Sequence, residues 1–286
     1  MKVDFHVHST ASDGTLAPAK IARRAVGFAA LALTDHDNMA GVEECRDACA
    51  GRGVPFVAGV ELSVEPGAGF DKFHLLCLGV DGANEGMRSL LRKVLDGRDE
   101  RNRQMFENFA KIGIEIKPDE VAEYAKGDVL ARPHFVRWLI DHGYATSVKD
   151  GFERYLLADS PSETRCYEER WRPSQEEAFR TVHAAGGLCV MAHPKFWRRQ
   201  WKHEGVEFDV AERGLAALKE AGLDGMEALY QANTKRENVE FPLMAKRLGL
   251  LASAGSDFHG ANKPTVSFGM EVDDGFIAPL LEALGI

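Results

Sequence analysis

Ten histidines are spread over the 286 residues, and several fall where an apolar run meets a loop. The first pair, His6 and His8 in MKVDFHVHSTASDGT, lies on an alternating segment with Val3, Phe5 and Val7 apolar and Asp4 polar. Period-2 geometry turns both imidazoles to one side, about 6–7 Å apart along a strand. That spacing suits two ligands on one metal ion. The turn formers Ser9, Thr10, Ser12 and Gly14 then allow Asp13 to return its carboxylate toward the same point. A lone His-x-His is a weak signal, because neutral imidazole is also an ordinary polar core residue. It gains weight from the recurrence of the same placement: His36 after AALALT, Glu61 in PFVAGVEL, His193 after LCVMA, and Asp257 and His259 after LLASA. His74, near the start of FHLLCLGV, joins them if its strand is offset.

The imidazoles His6, His8, His36, His74, His193 and His259 and the carboxylates Asp13, Glu61 and Asp257 make nine donors. Nine exceeds the shell of one ion and is enough for two or three. Mixed nitrogen and oxygen ligation without thiolate suits Mn²⁺, Zn²⁺ or Fe²⁺ better than Mg²⁺ or Ca²⁺.

These residues need strands to carry them. Short apolar runs at 29–34, 55–62, 73–80, 188–192, 224–230 and 250–254 alternate with helical patterns at 16–28, 39–50, 174–185, 209–221 and 234–248. Thr15 stands where it could cap the first helix, and Pro173 and Ser174 open the one before LCVMA. The alternation implies βαβ units, a mainly parallel sheet and a complete or slightly irregular (β/α) barrel, whose active sites form at the strand C-termini. From Asn84 the rhythm changes to long charged helices. Residues 1–83 and 171–286 are therefore expected to form the α/β barrel, and 84–170 a helical insertion.

Composition bounds the function. A chain that is 45% hydrophobic and 28% charged can bury a large core. No apolar run reaches the roughly 18 residues of a membrane span, and no signal-peptide pattern opens the chain. Five cysteines (Cys45, Cys49, Cys77, Cys166 and Cys189) without a C-x-x-C pair read as reduced thiols. A cytoplasmic protein is expected. The net charge of −9 argues against a broad DNA- or RNA-binding surface, though bound cations would let a small anion enter.

The ordered pieces DFHVHSTASDGT, ALTDHD, GVELS, FHLLCLG, MAHP and SDFH resemble the PHP (polymerase and histidinol phosphatase) family of metal-dependent phosphoesterases. The resemblance implies a distorted (β/α)₇ barrel with a di- or trinuclear cluster at the strand C-termini. It assigns His6, His8, Glu61 and Asp257 to a first ion. Glu61 as a bridge, with His74 and His193, would hold a second, and Asp13, His36 and His259 a third. Manganese is the expected metal.

Within the family the likeness is to the bacterial 3′,5′-nucleoside bisphosphate phosphatases, which include 5′–3′ exoribonucleases. It is carried by the insertion and by Ala131-Arg132-Pro133-His134, similar to the family's phosphate-contacting Arg-Pro-His. Arg132 would offer a planar fork to phosphate and His134 a second donor. A small nucleotide is the implied partner, with RNA 5′ ends a further one. Clustered cations acidify water and neutralise phosphoryl oxygens, so direct attack by metal-bound hydroxide without a phospho-enzyme is expected. His36, His259 and Asp13 are the candidates for proton transfer, and His36 also for substrate contact. Thr34, Asp35 and Asp37 flank His36 as supporting groups. Lys195, Arg198 and Arg199, with Trp197 and Trp201, could stack a base or grip a second phosphate, and Gln231 and Asn233 could touch substrate. Competing readings are a histidinol-phosphate phosphatase, an amidohydrolase (where a lysine would normally stand in the place of Glu61), and a non-catalytic PHP module, which a broken ligand set would favour.

Overall fold

The computed structural model describes residues 1–67, 71–125, 130–198 and 205–286. Arg199 and Trp201 lie outside the described residues. Seven strands stand side by side in chain order: β1 (Lys2–Asp4), β2 (Ala30–Leu33), β3 (Phe56–Val64), β4 (Phe73–Leu78), β5 (Leu188–Met191), β6 (Gly225–Tyr230) and β7 (Leu251–Gly255). A two-residue strand, β8 (Met270–Glu271), adds antiparallel to β1. Beyond the strand ends, Phe5 N donates to Ala254 O (3.0 Å), Asp257 N to His6 O (2.9 Å) and His8 N to Phe258 O (3.0 Å). The first and seventh segments are thereby joined, and the sheet curls into a nearly closed barrel. The expected distorted α/β barrel is the architecture found.

Two details differ from the sequence expectation. Among β1–β7 the sheet is parallel except around β4, which runs antiparallel to both β3 and β5. Short β3–β4 chain between 64 and 73 leaves no room for a crossover helix, so the strand returns directly. Its first residues therefore lie at the edge where the other strands end, and Ser63 of β3 faces His74 of β4. The first helix, α1 (Pro18–Arg24), starts later than Leu16 and has Ala17 before it without a side-chain cap. Thr15 is engaged elsewhere: its hydroxyl accepts from Ala261 N at 2.8 Å.

The remaining helices are α2 (Val42–Ala50), α3 (Glu85–Lys111), α4 (Pro118–Ala122), α5 (Arg132–Asp141), α6 (Val148–Gly151), α7 (Gln175–Ala184), α8 (Phe208–Glu220), α9 (Glu237–Leu248) and α10 (Asp274–Ala283). Asn84 caps α3 by accepting from Met87 N (3.1 Å), and Ser174 caps α7 by accepting from Glu177 N (3.1 Å). The barrel interior is small and apolar, with Val3, Phe5, Ala32, Leu76, Val190 and Ala254 in one cluster. The start of α3 packs Met87 and Leu90 against Phe179 of α7, while its end gives Met105 and Phe109 to a separate cluster with Phe135 and Leu139 of α5. One continuous helix thus fastens α4–α6 to the barrel. All five cysteines are free and buried.

Asp4 closes the barrel at the site edge. Its fully buried carboxylate accepts from Ser256 N (2.9 Å), Ser256 Oγ (2.6 Å), Gly269 N (2.9 Å) and His6 N (3.3 Å). Replacing Asp4 by Asn sets an amide NH₂ against one of those donors. Asp4→Asn is expected to lower unfolding free energy by about 1–3 kcal/mol in urea titrations, and an unchanged midpoint would show that these bonds carry no net stability.

Candidate metal centre

The strand ends converge on Glu61. This side chain is 1% exposed, and its two oxygens face different neighbours. Oε1 lies 2.8 Å from His74 Nδ1 and 3.1 Å from His193 Nε2. Oε2 lies 2.9 Å from His36 Nδ1 and 3.3 Å from both His6 Nε2 and His8 Nε2. Asp257 Oδ1 approaches His8 Nε2 (3.4 Å), His259 Nδ1 (3.3 Å) and His6 Nε2 (3.7 Å). Asp13 Oδ1 reaches His259 Nε2 at 3.2 Å, and its other oxygen is 3.9 Å from His36 Nε2.

All nine sequence-derived donors thus meet in one basin. They divide into overlapping groups whose ligand atoms lie within 4.8 Å of one another: His6, His8, Asp257; His6, Glu61, His193; His36, Glu61, His74; and His8, Asp13, His36, His259. Asp13, His36 and His259 stay together as expected. His6 is shared between two groups, and His36 reaches Glu61 as well as Asp13.

The local backbone is shaped for this meeting. Among the described residues, the non-glycine positions with positive φ are Asp37 (59°), His193 (30°) and Asp257 (57°), all at the basin. Strained backbone held at one place marks a site that the surrounding fold over-determines. Two glycines permit the closest approaches. A Cβ on Gly14 would lie 2.3 Å from His8 O, so only glycine lets the turn carry Asp13 back. One on Gly255 would lie 2.3 Å from Glu227 Oε1 and 2.4 Å from His6 Cβ.

Glu227 is the participant that sequence inspection missed. It is fully buried on β6, beside a register irregularity between Glu227 and Leu229. His6 Nδ1 donates to its Oε1 (3.0 Å) and the His193 backbone N–H to its Oε2 (2.6 Å), so one carboxylate sets His6's tautomer and the strained turn at His193. Its only signal was an acid inside the apolar run GMEALY. Tyr230 and Lys263 hold the outer oxygen of Asp257, at 2.9 and 2.6 Å. Asp35 accepts from Ser9 N, Ser9 Oγ and Ser12 Oγ at 2.6–2.7 Å, fixing the turn before Asp13. Thr34 accepts from Val7 N at 3.0 Å.

The electrostatics favour cations. Burial by itself would lower the His6 and His8 pKa values. The neighbouring acids outweigh it, holding His6 well above the usual imidazole range and His8 at about 9. Burial would raise Asp13, Glu61 and Asp257, but the surrounding imidazoles hold all three well below the carboxylate range. His259 is pushed down to about 4 by burial and by His8, and burial lowers His74 despite Glu61. Several ligand-type atoms are buried with no hydrogen-bond partner: His6 Nε2, His8 Nδ1 and Nε2, Asp13 Oδ1 and Glu61 Oε2. Unpaired buried polar atoms are costly, and this set faces inward on a common space. Two divalent cations would balance Asp13, Glu61, Asp257 and Glu227. The residues fit a multinuclear centre of nitrogen and oxygen ligands. Among the described residues the one other group, His183, Cys189 and Asp224, is accounted for locally, since Asp224 accepts from Cys189 N and pairs with His183, both at 2.7 Å.

Beside Asp13, His36 and His74 opens a cavity of about 250 Å³, walled by Arg98, Arg101, Arg132, Arg170, Arg172 and Lys72. Asp37 pairs with Arg98 and, at 2.7 Å, with Arg170. Glu169 pairs with Arg172 (2.7 Å) and Lys72 (2.9 Å). Among the described residues, Arg101 and Arg132 bond no carboxylate: Arg101 Nε donates to Asn102 Oδ1 (3.0 Å) and Arg132 donates to Leu156 O (3.1 Å). Arg101 is 4% exposed with one terminal nitrogen unbonded. Burial and the adjoining guanidinium groups pull its pKa to about 8. Two guanidiniums that meet no carboxylate among the described residues are what a phosphate dianion would balance.

His134 is brought near but turned to its own helix, where Nδ1 accepts from Ala131 N at 3.1 Å. The Asn233 amide nitrogen donates to Asn238 Oδ1 at 3.0 Å. Gln231 bonds the 267–269 loop. Lys195 pairs with Glu237 (3.0 Å), and Trp197 donates to Asp71 O (3.0 Å). No described helix is long and apolar enough to cross a membrane.

A family profile described as the PHP domain matches residues 4–136. The chain is 35% identical over 260 residues to a 3′,5′-nucleoside bisphosphate phosphatase of Chromobacterium violaceum, covering 90% of this chain and 87% of that protein. It is 33% identical over 261 residues to a 5′-3′ exoribonuclease of Haemophilus influenzae, covering 90% of each. A solved structure of an amidohydrolase from Chromobacterium violaceum, with bound sulfate and no metal, superposes with a TM-score of 0.83 at 33% identity, covering 99% of this chain and 97% of that one.

If the basin holds divalent cations, Mn²⁺ or Zn²⁺ at a hundred times its dissociation constant should stabilise the protein by about 2.7 kcal/mol. Thermal melting should show this rise in the wild type, lose most of it in Glu61→Gln, and retain it in His183→Ala. An equal rise in Glu61→Gln would place the cations elsewhere.

Proposed function

The chain belongs to the PHP family of phosphoesterases, and from that premise we propose that it releases the 3′-phosphate of nucleoside 3′,5′-bisphosphates in a metal-dependent hydrolysis. The observation that carries this reading is the juxtaposition of two features: a basin of unpartnered imidazole and carboxylate atoms around Glu61, and an adjoining cavity in which Arg101 and Arg132 meet no carboxylate among the described residues. A substrate with a reacting phosphate and a second, remote phosphate matches both.

In this proposal His6, His8, Asp13, His36, Glu61, His74, His193, Asp257 and His259 hold two or three divalent ions, with Mn²⁺ expected and Zn²⁺ or Fe²⁺ as alternatives. Bound cations would supply water activation and neutralise charge on the reacting phosphoryl group. The chain's own residues do the rest. Arg132 and Arg101 bind the remote phosphate and so orient the nucleotide. Arg132 is kept in place by Leu156 O and by the faces of Tyr167 and Phe152, at 5.3 and 5.8 Å. His36 is 22% exposed toward the cavity and has Asp13 behind its Nε2. That atom is positioned to exchange a proton with the departing 3′-oxygen. His259, whose pKa burial and His8 pull down, stays neutral through the working pH range and serves as a donor atom. Residues 84–170 act as the substrate cap, since α3 and α5 bring Arg98, Arg101 and Arg132 over the basin.

Adenosine 3′,5′-bisphosphate, adenosine 3′-monophosphate and histidinol phosphate should be compared with Mn²⁺-loaded protein by phosphate release. The bisphosphate is expected to be preferred. Arg132→Ala should lower its kcat/KM by roughly 10- to 100-fold, as for a charged hydrogen bond, with little effect on the 3′-monophosphate. Turnover of histidinol phosphate alone would overturn the substrate while leaving the chemistry.

A further inference from the structure

The insertion leaves the barrel through α3 and returns through the segment before α7, and both crossings meet at Asp37. This fully buried carboxylate is bonded through one oxygen, Oδ2, to Arg98 of α3 and, at 2.7 Å, to Arg170 of the return segment. Arg170 donates also to Ser63 Oγ at 2.8 Å. The crossings touch here: a Cβ on Gly97 would lie 3.0 Å from Trp171 Cβ, and Lys93 Nζ sits 4.0 Å from the Trp171 ring centroid. Asp37 is equally tied to the basin. It follows His36, its backbone N–H donates to Glu61 O at 3.0 Å, and its φ of 59° is one that few side chains adopt.

Arg98, Arg101 and Arg170 all line the arginine cavity, and each keeps one buried nitrogen without a partner among the described residues: Arg98 Nε, Arg101 Nη2 and Arg170 Nη1. Asp37 thus neutralises part of the charge while leaving donors for a guest. That balance matters because, in the proposed hydrolysis, substrate and product both carry the remote phosphate. Affinity gained there is shared by the product, so it lowers KM without raising kcat and slows release as it grows. We propose that Asp37 is a positioning residue that holds Arg98 and Arg170 and tempers the cavity's grip on phosphate, so that the nucleoside 5′-monophosphate product leaves. This role rests on the proposed hydrolysis and adds a determinant of its turnover. If Asp37 only braced the insertion, its loss would have the opposite sign: the arginines would spread and hold anions more weakly.

The test measures binding of adenosine 5′-monophosphate (AMP) and of adenosine to Mn²⁺-loaded protein by calorimetry, with steady-state hydrolysis of adenosine 3′,5′-bisphosphate alongside. Asp37→Asn keeps the side-chain size and tolerates left-handed backbone, and Asp37→Gly is a second variant suited to that conformation. Each should bind AMP about tenfold more tightly, as for one charge-assisted hydrogen bond, with adenosine unchanged. KM for the bisphosphate should fall, and kcat should fall with it as product release becomes limiting. Asp37→Asn/Arg98→Met, which removes one charge of each sign, should return AMP affinity to near the wild-type value. Weaker or unchanged AMP binding in either single variant that melts cooperatively would assign Asp37 to bracing alone and overturn the inference. So would an equal gain for adenosine. Wild-type protein that hydrolyses the bisphosphate while the variants give those results would sink this inference and leave the proposed function standing. No hydrolysis of the bisphosphate, with tighter AMP binding in Asp37→Asn, would sink the proposed function and leave Asp37 in control of the cavity.

Discussion

Glu61 holds a negative charge almost wholly out of water, and its oxygens touch five imidazoles from four chain segments. Removing a carboxylate from water costs several kcal/mol unless opposite charge and hydrogen bonds replace the lost solvation. Much else in the molecule answers that constraint. The β4 strand runs backward and so delivers His74 at the right edge. Glycines at 14 and 255 let backbone pass where a Cβ would collide. Left-handed backbone at His193 and Asp257 turns the two side chains inward immediately after their strands. Glu227 and Asp4 then tie His6 and its neighbours to the far wall of the barrel.

The charge distribution around the basin is asymmetric, and the asymmetry has chemical content. Imidazoles and carboxylates form the floor, guanidinium groups one flank and aromatic rings the other. A net charge of −9 over the whole chain conceals this local arrangement. An anionic ligand would be met by a compact set of arginines, of which Arg98 and Arg170 are partly neutralised by Asp37. Full neutralisation would remove the attraction, and none at all would make the cluster too costly to bury.

Strand-end placement of His6, His8, His36, His193, Asp257 and His259 was legible in the sequence because polar residues stand out against apolar runs. The fold followed from the same runs and their spacing. His74 was legible as a donor, but its geometry required knowing that β4 is antiparallel, which periodicity does not encode. Glu227 was hidden because one acid in a buried strand reads as an irregularity. Arg98 and Arg101 fall within the long charged helical pattern after Asn84, where a buried role does not stand out. Their positions, with Leu91, Val94, Asn102 and Met105, follow the i, i+3, i+4 and i+7 stripe that α3 buries, and that stripe was the available signal. A polar residue after a strand can also turn back to brace the next helix, as Asn233 does through Asn238.

Anomalous diffraction from crystals soaked in Mn²⁺, recorded on both sides of the metal's absorption edge, tests the centre most directly. The expected result is at least two peaks, one on each side of the Glu61 carboxylate, within about 2.0–2.3 Å of its oxygens and of the surrounding imidazole nitrogens. A map with no peak in the basin, or with peaks confined to other parts of the surface, would contradict the assignment of these residues to a metal cluster.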